Sequence, residues 1–544
     1  MKIQQLGLIL VWSVLLVADR SCFAHFLWLV PQNQSGSEVH LYFSEGPEPD
    51  NPKLLQKLKD IRVDAFKAEE MPQSIEFAFT QDQNTLQALA PGATTWKLRH
   101  TYGVHGRGSK SLLVYSAASV TCGWPGFDEK DRVRLPKDGL DLHPTIDGKL
   151  LKLTLLNKGE VTKEVQIDFQ SANDHQTLTT DSEGHINIDN VEPGVYAVRY
   201  LETAQTSGNY QNEDYVSVKH YTTISFIVPN LSEAKLISMG DDEIGKLPEA
   251  ITSFGATAID NVIYAYGGHT GEAHSYSNEE QFNKLIRLDV NTSKKWETIG
   301  EGPKVQGNAL VAAGSNVILV GGFTAENQQG ETSRLVSQSG VQQFNLQNAT
   351  WIDLPNLPEP RSSMDAAVLD EFLYVIGGWA MNGHSDETKW HKTAWRLPLT
   401  DTSKGWQPIA SPPFERRALA TAAHSGRLFV IGGMNAESGP TTETCVYDPS
   451  NDTWRTIGSI AGIPMNGFGA AATEVNGRLI VTTVDGSIQR LQDREEKWEI
   501  IGTIPVGRFF HRTLPVSKDS MAIIGGANMS VGKFRETEFI QFSN

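Results

Sequence analysis

Three cysteines among 544 residues exclude a disulfide scaffold. Cys22 lies in a segment expected to be removed, and Cys122 and Cys445 fall in different expected domains. No C-x-x-C spacing offers a redox or zinc site. Basic excess is lacking too. Lys and Arg number 47 against 64 Asp and Glu, giving a formal charge of −17. That balance argues against nucleic acid and against anionic membrane surfaces as partners. Long apolar runs are absent. The run Leu6 to Ala18 has 13 residues, about 20 Å as a helix, against about 30 Å of hydrocarbon. No G-x-S-x-G, H-E-x-x-H or P-loop signature occurs.

What is present is glycine, 48 residues, much of it in pairs. FLYVIGGWA, Phe372 to Ala380, runs hydrophobic residues into Gly377-Gly378. Equivalent pairs stand at Gly267-Gly268, Gly321-Gly322, Gly432-Gly433 and Gly525-Gly526, with Thr482-Thr483 in a worn copy. The steps are 54, 56, 55, 50 and 43 residues. A period of about 50 signals radial repetition, one small sheet per repeat. A second marker follows each pair: Trp296, Trp351, Trp406, Trp454 and Trp498, each after a polar turn.

The two markers together resemble kelch repeats, and the resemblance covers residues 230–544. It implies a six-bladed β-propeller. After Gly526 only Thr537 to Phe542 remains as a strand, so the last blade lacks an outer strand. Residues about 234–240 are expected to supply it, closing the ring across the termini and removing open sheet edges.

The amino terminus reads as an export signal. Lys2, the apolar run and Cys22-Phe23-Ala24 predict cleavage after Ala24, leaving His25 first in an exported protein, periplasmic or extracellular. Residues 25–147 predict short strands and one helix over Lys53 to Asp60. Residues 148–229 predict an antiparallel sandwich, with turns at Asp181-Ser182-Glu183-Gly184 and Glu192-Pro193-Gly194. The expected fold is therefore all-β, a sandwich region followed by a propeller.

TTDSEGHINIDNVEPGVYAVRY resembles a transthyretin or carboxypeptidase-regulatory sandwich motif. With AHFLWLVP, YGVHG and HYTTISFIV it is similar to an uncharacterised exported domain family, related to accessory proteins of nickel and cobalt uptake. That resemblance implies a transition metal, Ni, Co or Cu. A free terminal amine plus His25 could chelate it, with His40, His100 and His105 as further ligands.

The propeller's expected site is one mouth of its channel. Two loop sets meet there, those after the double glycines and those joining one blade to the next. They carry Arg361, Arg416, Arg417, Arg508, His511, Trp379 and His269. Arginine beside aromatic rings suits a carboxylate, an acidic peptide or an acidic sugar. The arginines could equally be structural parts of the repeat. The main expectation is an exported binding protein with a protein or glycan ligand. Two alternatives stand beside it. One is a sugar epimerase or lyase like the sialic-acid epimerases, with Glu415, His511 and Arg508 as proton-transfer groups. The other is a metal-uptake accessory.

Overall fold

The computed structural model describes residues 25–544, except 35, 50–54, 56–57, 59–60, 68–70, 81–84, 91–92, 107, 125–134, 137–138, 172–174, 238–244, 294, 384–387, 493, 495 and 544. The export segment, most of the helix expected over 53–60, and His384 lie outside the described residues.

The described part of residues 25–229 forms three main sheets and a two-stranded ribbon, Gly208–Tyr210 with Glu213–Tyr215. A central sheet of eight strands draws on both halves of this region. Its middle is Gly194–Ala204, Ser217–Val228, Ser111–Ser119 and Thr95–His105. Ser217–Val228 pairs in parallel with Ser111–Ser119, from Ser217 opposite Ser111 to Ser225 opposite Ser119. Side chains alternate across such strands. Tyr115, Ala117, Ala197 and Tyr221 join the core beneath the first hairpin, Phe26–Pro31 with Glu38–Ser44. Ala118, Val198, Ile224 and Phe226 face the opposite way, onto Leu142, Leu151 and Leu153. Smaller sheets therefore cover both faces. The boundary expected between residues 147 and 148 falls inside a hairpin, Leu140–Asp147 with Leu150–Asn157. One shared sheet makes 25–229 a single layered body, because the last strand of the second half completes the first.

Six four-stranded blades follow. The first is Gly255–Ile259, Val262–Tyr266, Lys284–Asp289 and Glu297–Glu301. The next four begin at Ala309, Asp365, Ala420 and Ala471. The sixth is Arg512–Ser517, Ser520–Ile524 and Thr537–Phe542, completed by Ala234–Ile237. Ala234 to Ile237 pair antiparallel with Phe542 to Phe539, so the ring closes as expected.

Both repeat markers have physical work. Gly377 has φ +71°, and a Cβ there would stand 2.4 Å from Leu419 Cδ2 and 2.7 Å from Arg416 O. Only glycine admits that approach in that conformation. The tryptophans staple blades together. Trp351 Nε1 donates to Glu301 O at 2.8 Å, Trp406 Nε1 to Pro355 O at 2.8 Å, and Trp454 Nε1 to Ala410 O at 2.7 Å. Each indole reaches back to the preceding blade.

Candidate functional site

The loops between blades build a ring about the axis. Each contributes one residue in the left-handed region: Ser253, Gly307, Ser363, Ala418, Gly469 and Phe510, with φ from +50° to +61°. Five links join them. Gly307 N donates to Ser253 O at 2.6 Å, Ser363 to Gly307 at 2.8 Å, Ala418 to Ser363 at 2.8 Å, Gly469 to Ala418 at 2.9 Å and Phe510 to Gly469 at 2.8 Å. Five of the six are small. Phe510 is bulky, and positive φ in such a residue is rare and costly.

Arg361, Arg416 and Arg508 each stand two positions before a ring residue, and all three are buried. Arg361 donates to Gly377 O at 3.0 Å, Thr393 O at 2.7 Å and Thr393 Oγ1 at 2.6 Å. Arg416 donates to Gly432 O at 3.4 Å and pairs with the Glu443 carboxylate. Arg508 donates to Gly525 O at 3.2 Å and pairs with Glu538. Each guanidinium holds the carbonyl of the first glycine in its blade's pair. This corrects the expectation that they face a ligand. They are part of the repeat, with Nη donors bonded inside the protein, although each Nε is buried without a partner. Burial pushes Arg361 down to about 10.

His511 also leaves the expected ligand set. It is buried, with Nε2 2.6 Å from Thr482 Oγ1. Burial, then the neighbouring Arg508 and Arg512 charges, push it down to about 3, so it is neutral at physiological pH. His269 is buried and Nε2 donates to Ser275 O at 2.7 Å. It stands beneath the mouth and supports Tyr276, whose ring centroid is 5.1 Å away.

Arg417 and Trp379 are brought together. The guanidinium lies 4.2 Å from the Trp379 ring centroid, 5.7 Å from Trp390 and 5.8 Å from Phe468. Trp379 and Trp390 meet edge to face at 5.4 Å. Phe468, Phe509 and Phe510 extend the crown, with centroids 5.0 to 6.2 Å apart. Arg417 Nη2 contacts Met434 Sδ at 3.1 Å, and its Nε has no hydrogen-bond partner. The guanidinium's one acceptor among the described residues is thus a thioether, a weak one. Burial lowers the Arg417 pKa, yet guanidinium stays charged at neutral pH. The rim is uneven. Blade 3 carries residues 377–394 between its second and third strands, and blade 5 only 483–486.

The aromatic positions of IPMNGF and VGRFFHR belong to this site, although charge alone drew attention to the arginines. The signal was available: arginine recurs two positions before the ring residue, whereas the next position varies, with Thr252, Gln306, Ser362, Arg417, Phe468 and Phe509 in turn.

The four histidines of the sandwich do not converge. His40 is buried between Glu38, 3.2 Å from its Nε2, and Tyr42. His25 meets Phe43 at 5.7 Å, on the other face of that strand. His100 and His105 flank Tyr102 at 6.4 and 5.1 Å. Among the described residues no group of three or more His, Cys, Asp or Glu could hold a metal ion. The donor set does not fit a transition metal.

Residues 253–483 match the family described as the KLHDC2/KLHL20/DRC7 Kelch-repeats domain. The match ends where Thr482-Thr483 replaces a double glycine. The chain is 24% identical over 271 residues to Kelch-like protein terF of Aspergillus terreus, covering 48% of this chain and 55% of that protein. It is 24% identical over 254 residues to Kelch-like protein 35 of Mus musculus, covering 46% and 36%. The solved structure titled "Structure of YjhT" aligns with TM-score 0.45 and 15% identity, over 55% of this chain and 99% of that one. The chain spans about half the length, or less, of these curated relatives. Among the described residues no helix is long and apolar enough to cross a membrane. With six blades, paired glycines and stapling tryptophans in place, the second part of this chain is a six-bladed propeller of kelch repeats, the family that residues 253–483 match.

Proposed function

We propose that this protein is a binding platform whose propeller face holds an anionic segment of a protein or glycan partner. The observation that carries the reading is Arg417, a half-buried cation stacked on Trp379, its Nε unpartnered and its Nη2 on a thioether alone. A carboxylate approaching edge-on satisfies two of those donors at once. The surrounding rings supply apolar contact and exclude water. Kelch relatives of similar sequence make a protein partner the first choice.

The epimerase or lyase alternative loses support from the groups it needed. His511 is buried and neutral, Arg508 is tied to Glu538, and Glu415 pairs with Lys392 at 2.6 Å. The metal-uptake alternative loses the converging histidines it required. Export belongs to the same proposal as the binding reading: N-terminal sequencing of secreted protein should begin at His25.

The test is a displayed peptide library and a glycan array, each probed with wild type and with Arg417→Ala. Enrichment of acidic ligands that disappears in Arg417→Ala supports the reading. Neutral or basic ligands, or enrichment indifferent to the substitution, would sink it.

A further inference from the structure

The six inner strands enclose an axial tube of about 290 Å³, separate from the crown. Crowding at the axis favours small side chains, so much of the wall is alanine, including Ala258, Ala312, Ala367, Ala423 and Ala472. The strands run from the ring of left-handed residues to the opposite end, where the tube opens.

Its crown end is closed by one ion pair. Arg512 Nη1 donates to Asp365 Oδ1 at 3.0 Å, across the axis from blade 6 to blade 3. Its Nε donates to Phe254 O at 3.0 Å and its Nη2 to Asn308 O at 3.4 Å. Those three bonds leave two of the five guanidinium N–H groups unassigned. The side chain is 22% exposed and also lines a hollow of about 50 Å³ under the ring, so it is the septum between the two spaces. Asp365 Oδ2 accepts from Thr421 N at 2.8 Å and keeps further lone pairs. The Thr421 hydroxyl, buried at the same wall, has no hydrogen-bond partner.

The blind end therefore offers donors, acceptors and a hydroxyl together, with no net charge. The wall beyond alternates small aliphatic side chains with Thr257, Thr473, Thr513 and Glu474, and among the described residues holds no cation besides Arg512. A charged head group would bring an uncompensated ion into that surround, which is costly. A neutral group that both donates and accepts meets both members of the pair. The volume equals that of about ten waters, enough for a short linear molecule.

We propose that the tube is a second site, for small linear aliphatic carboxamides. The amide lies against Arg512, Asp365 and Thr421, and the tail lies along the alanine wall. This site is independent of the crown and of what binds there.

The test is calorimetric titration of the full chain with hexanamide, hexanoate and hexylamine. Saturable one-to-one binding of hexanamide is expected, with both ions about tenfold weaker or more, the factor that 1.4 kcal/mol gives. Thr421→Val removes only the unpartnered hydroxyl. It should weaken hexanamide about fivefold, the worth of one neutral hydrogen bond, without lowering Tm. Ala423→Leu narrows the tube and should abolish binding, and Arg417→Ala should leave it unchanged. No saturable heat with hexanamide would mean that the tube holds water only, and would overturn the proposal. So would hexanoate binding as tightly as the amide, or amide binding that survives both tube variants.

Discussion

Replacing Arg361 and Arg417 separately should split structure from recognition. Arg361 is fully buried and holds Gly377 O and Thr393 O. Arg361→Ala strands two carbonyls and opens a cavity. Breaking a buried charged pair costs about 3–5 kcal/mol. The lower end applies, because Glu359 keeps Lys389 at 2.5 Å and Thr393 Oγ1 at 2.7 Å. About 3 kcal/mol at roughly 2 °C per kcal/mol lowers Tm by about 6 °C. Arg417→Ala loses a stack worth about 0.5–2 kcal/mol but also removes a cation with few partners, so stability should change by about 1 kcal/mol or less. The assay is thermal melting followed by tryptophan fluorescence, with ligand binding measured well below both transitions. There Arg361→Ala should bind as wild type and Arg417→Ala should not. An Arg361→Ala protein as stable as wild type would refute the structural assignment. So would an Arg417→Ala protein destabilised as much as Arg361→Ala.

Other outcomes follow from the same geometry. Deleting residues 231–237 leaves Thr537–Phe542 an open edge, so urea unfolding should lose cooperativity; an unchanged transition would show that closure lies elsewhere. Gly377→Ala should cost about 3 kcal/mol or more, combining left-handed strain with the clash on Leu419. Gly330→Ala has φ +85° but nothing within 4 Å, and should cost about 1–2 kcal/mol from strain alone, read by the same melts. Partial burial raises the Glu359 carboxyl, but Lys389 and Thr393 outweigh it and hold it at about 2, against 4.5 ordinarily. A depressed acid stabilises the fold above its unfolded pKa and loses that contribution as pH falls through the folded one. Stability should therefore drop between pH 4.5 and 2, and Glu359→Gln should flatten that part of a urea–pH series.

The propeller was legible because its cause is local and repeated. Gly377-Gly378 and Trp351 answer to constraints that five of the six blades meet in the same way, so they recur about every 50 residues. Even the missing outer strand could be placed, since Ala234–Ile237 fills the one vacancy in a counted pattern. The sandwich was legible only in its strands. The parallel pairing of Ser217–Val228 with Ser111–Ser119 joins segments about a hundred residues apart, and nothing in either segment names the other. That is why a boundary was expected at residue 148 where the sheet has none.

At the site the repeat itself misled. Arg361, Arg416 and Arg508 stood out by charge, yet regular spacing is the mark of a structural role, and each gives an Nη1 donor to a glycine carbonyl. Arg417 breaks that register by one residue. Its strand, Arg416–Arg417, pairs with Met434–Asn435, so one arginine turns inward to Gly432 and its neighbour turns toward Trp379 and Met434. Alternation along a single strand divides two adjacent, chemically identical side chains between the fold and the proposed site. In a repeat protein the residue to suspect of recognition is therefore the one the repeat does not require.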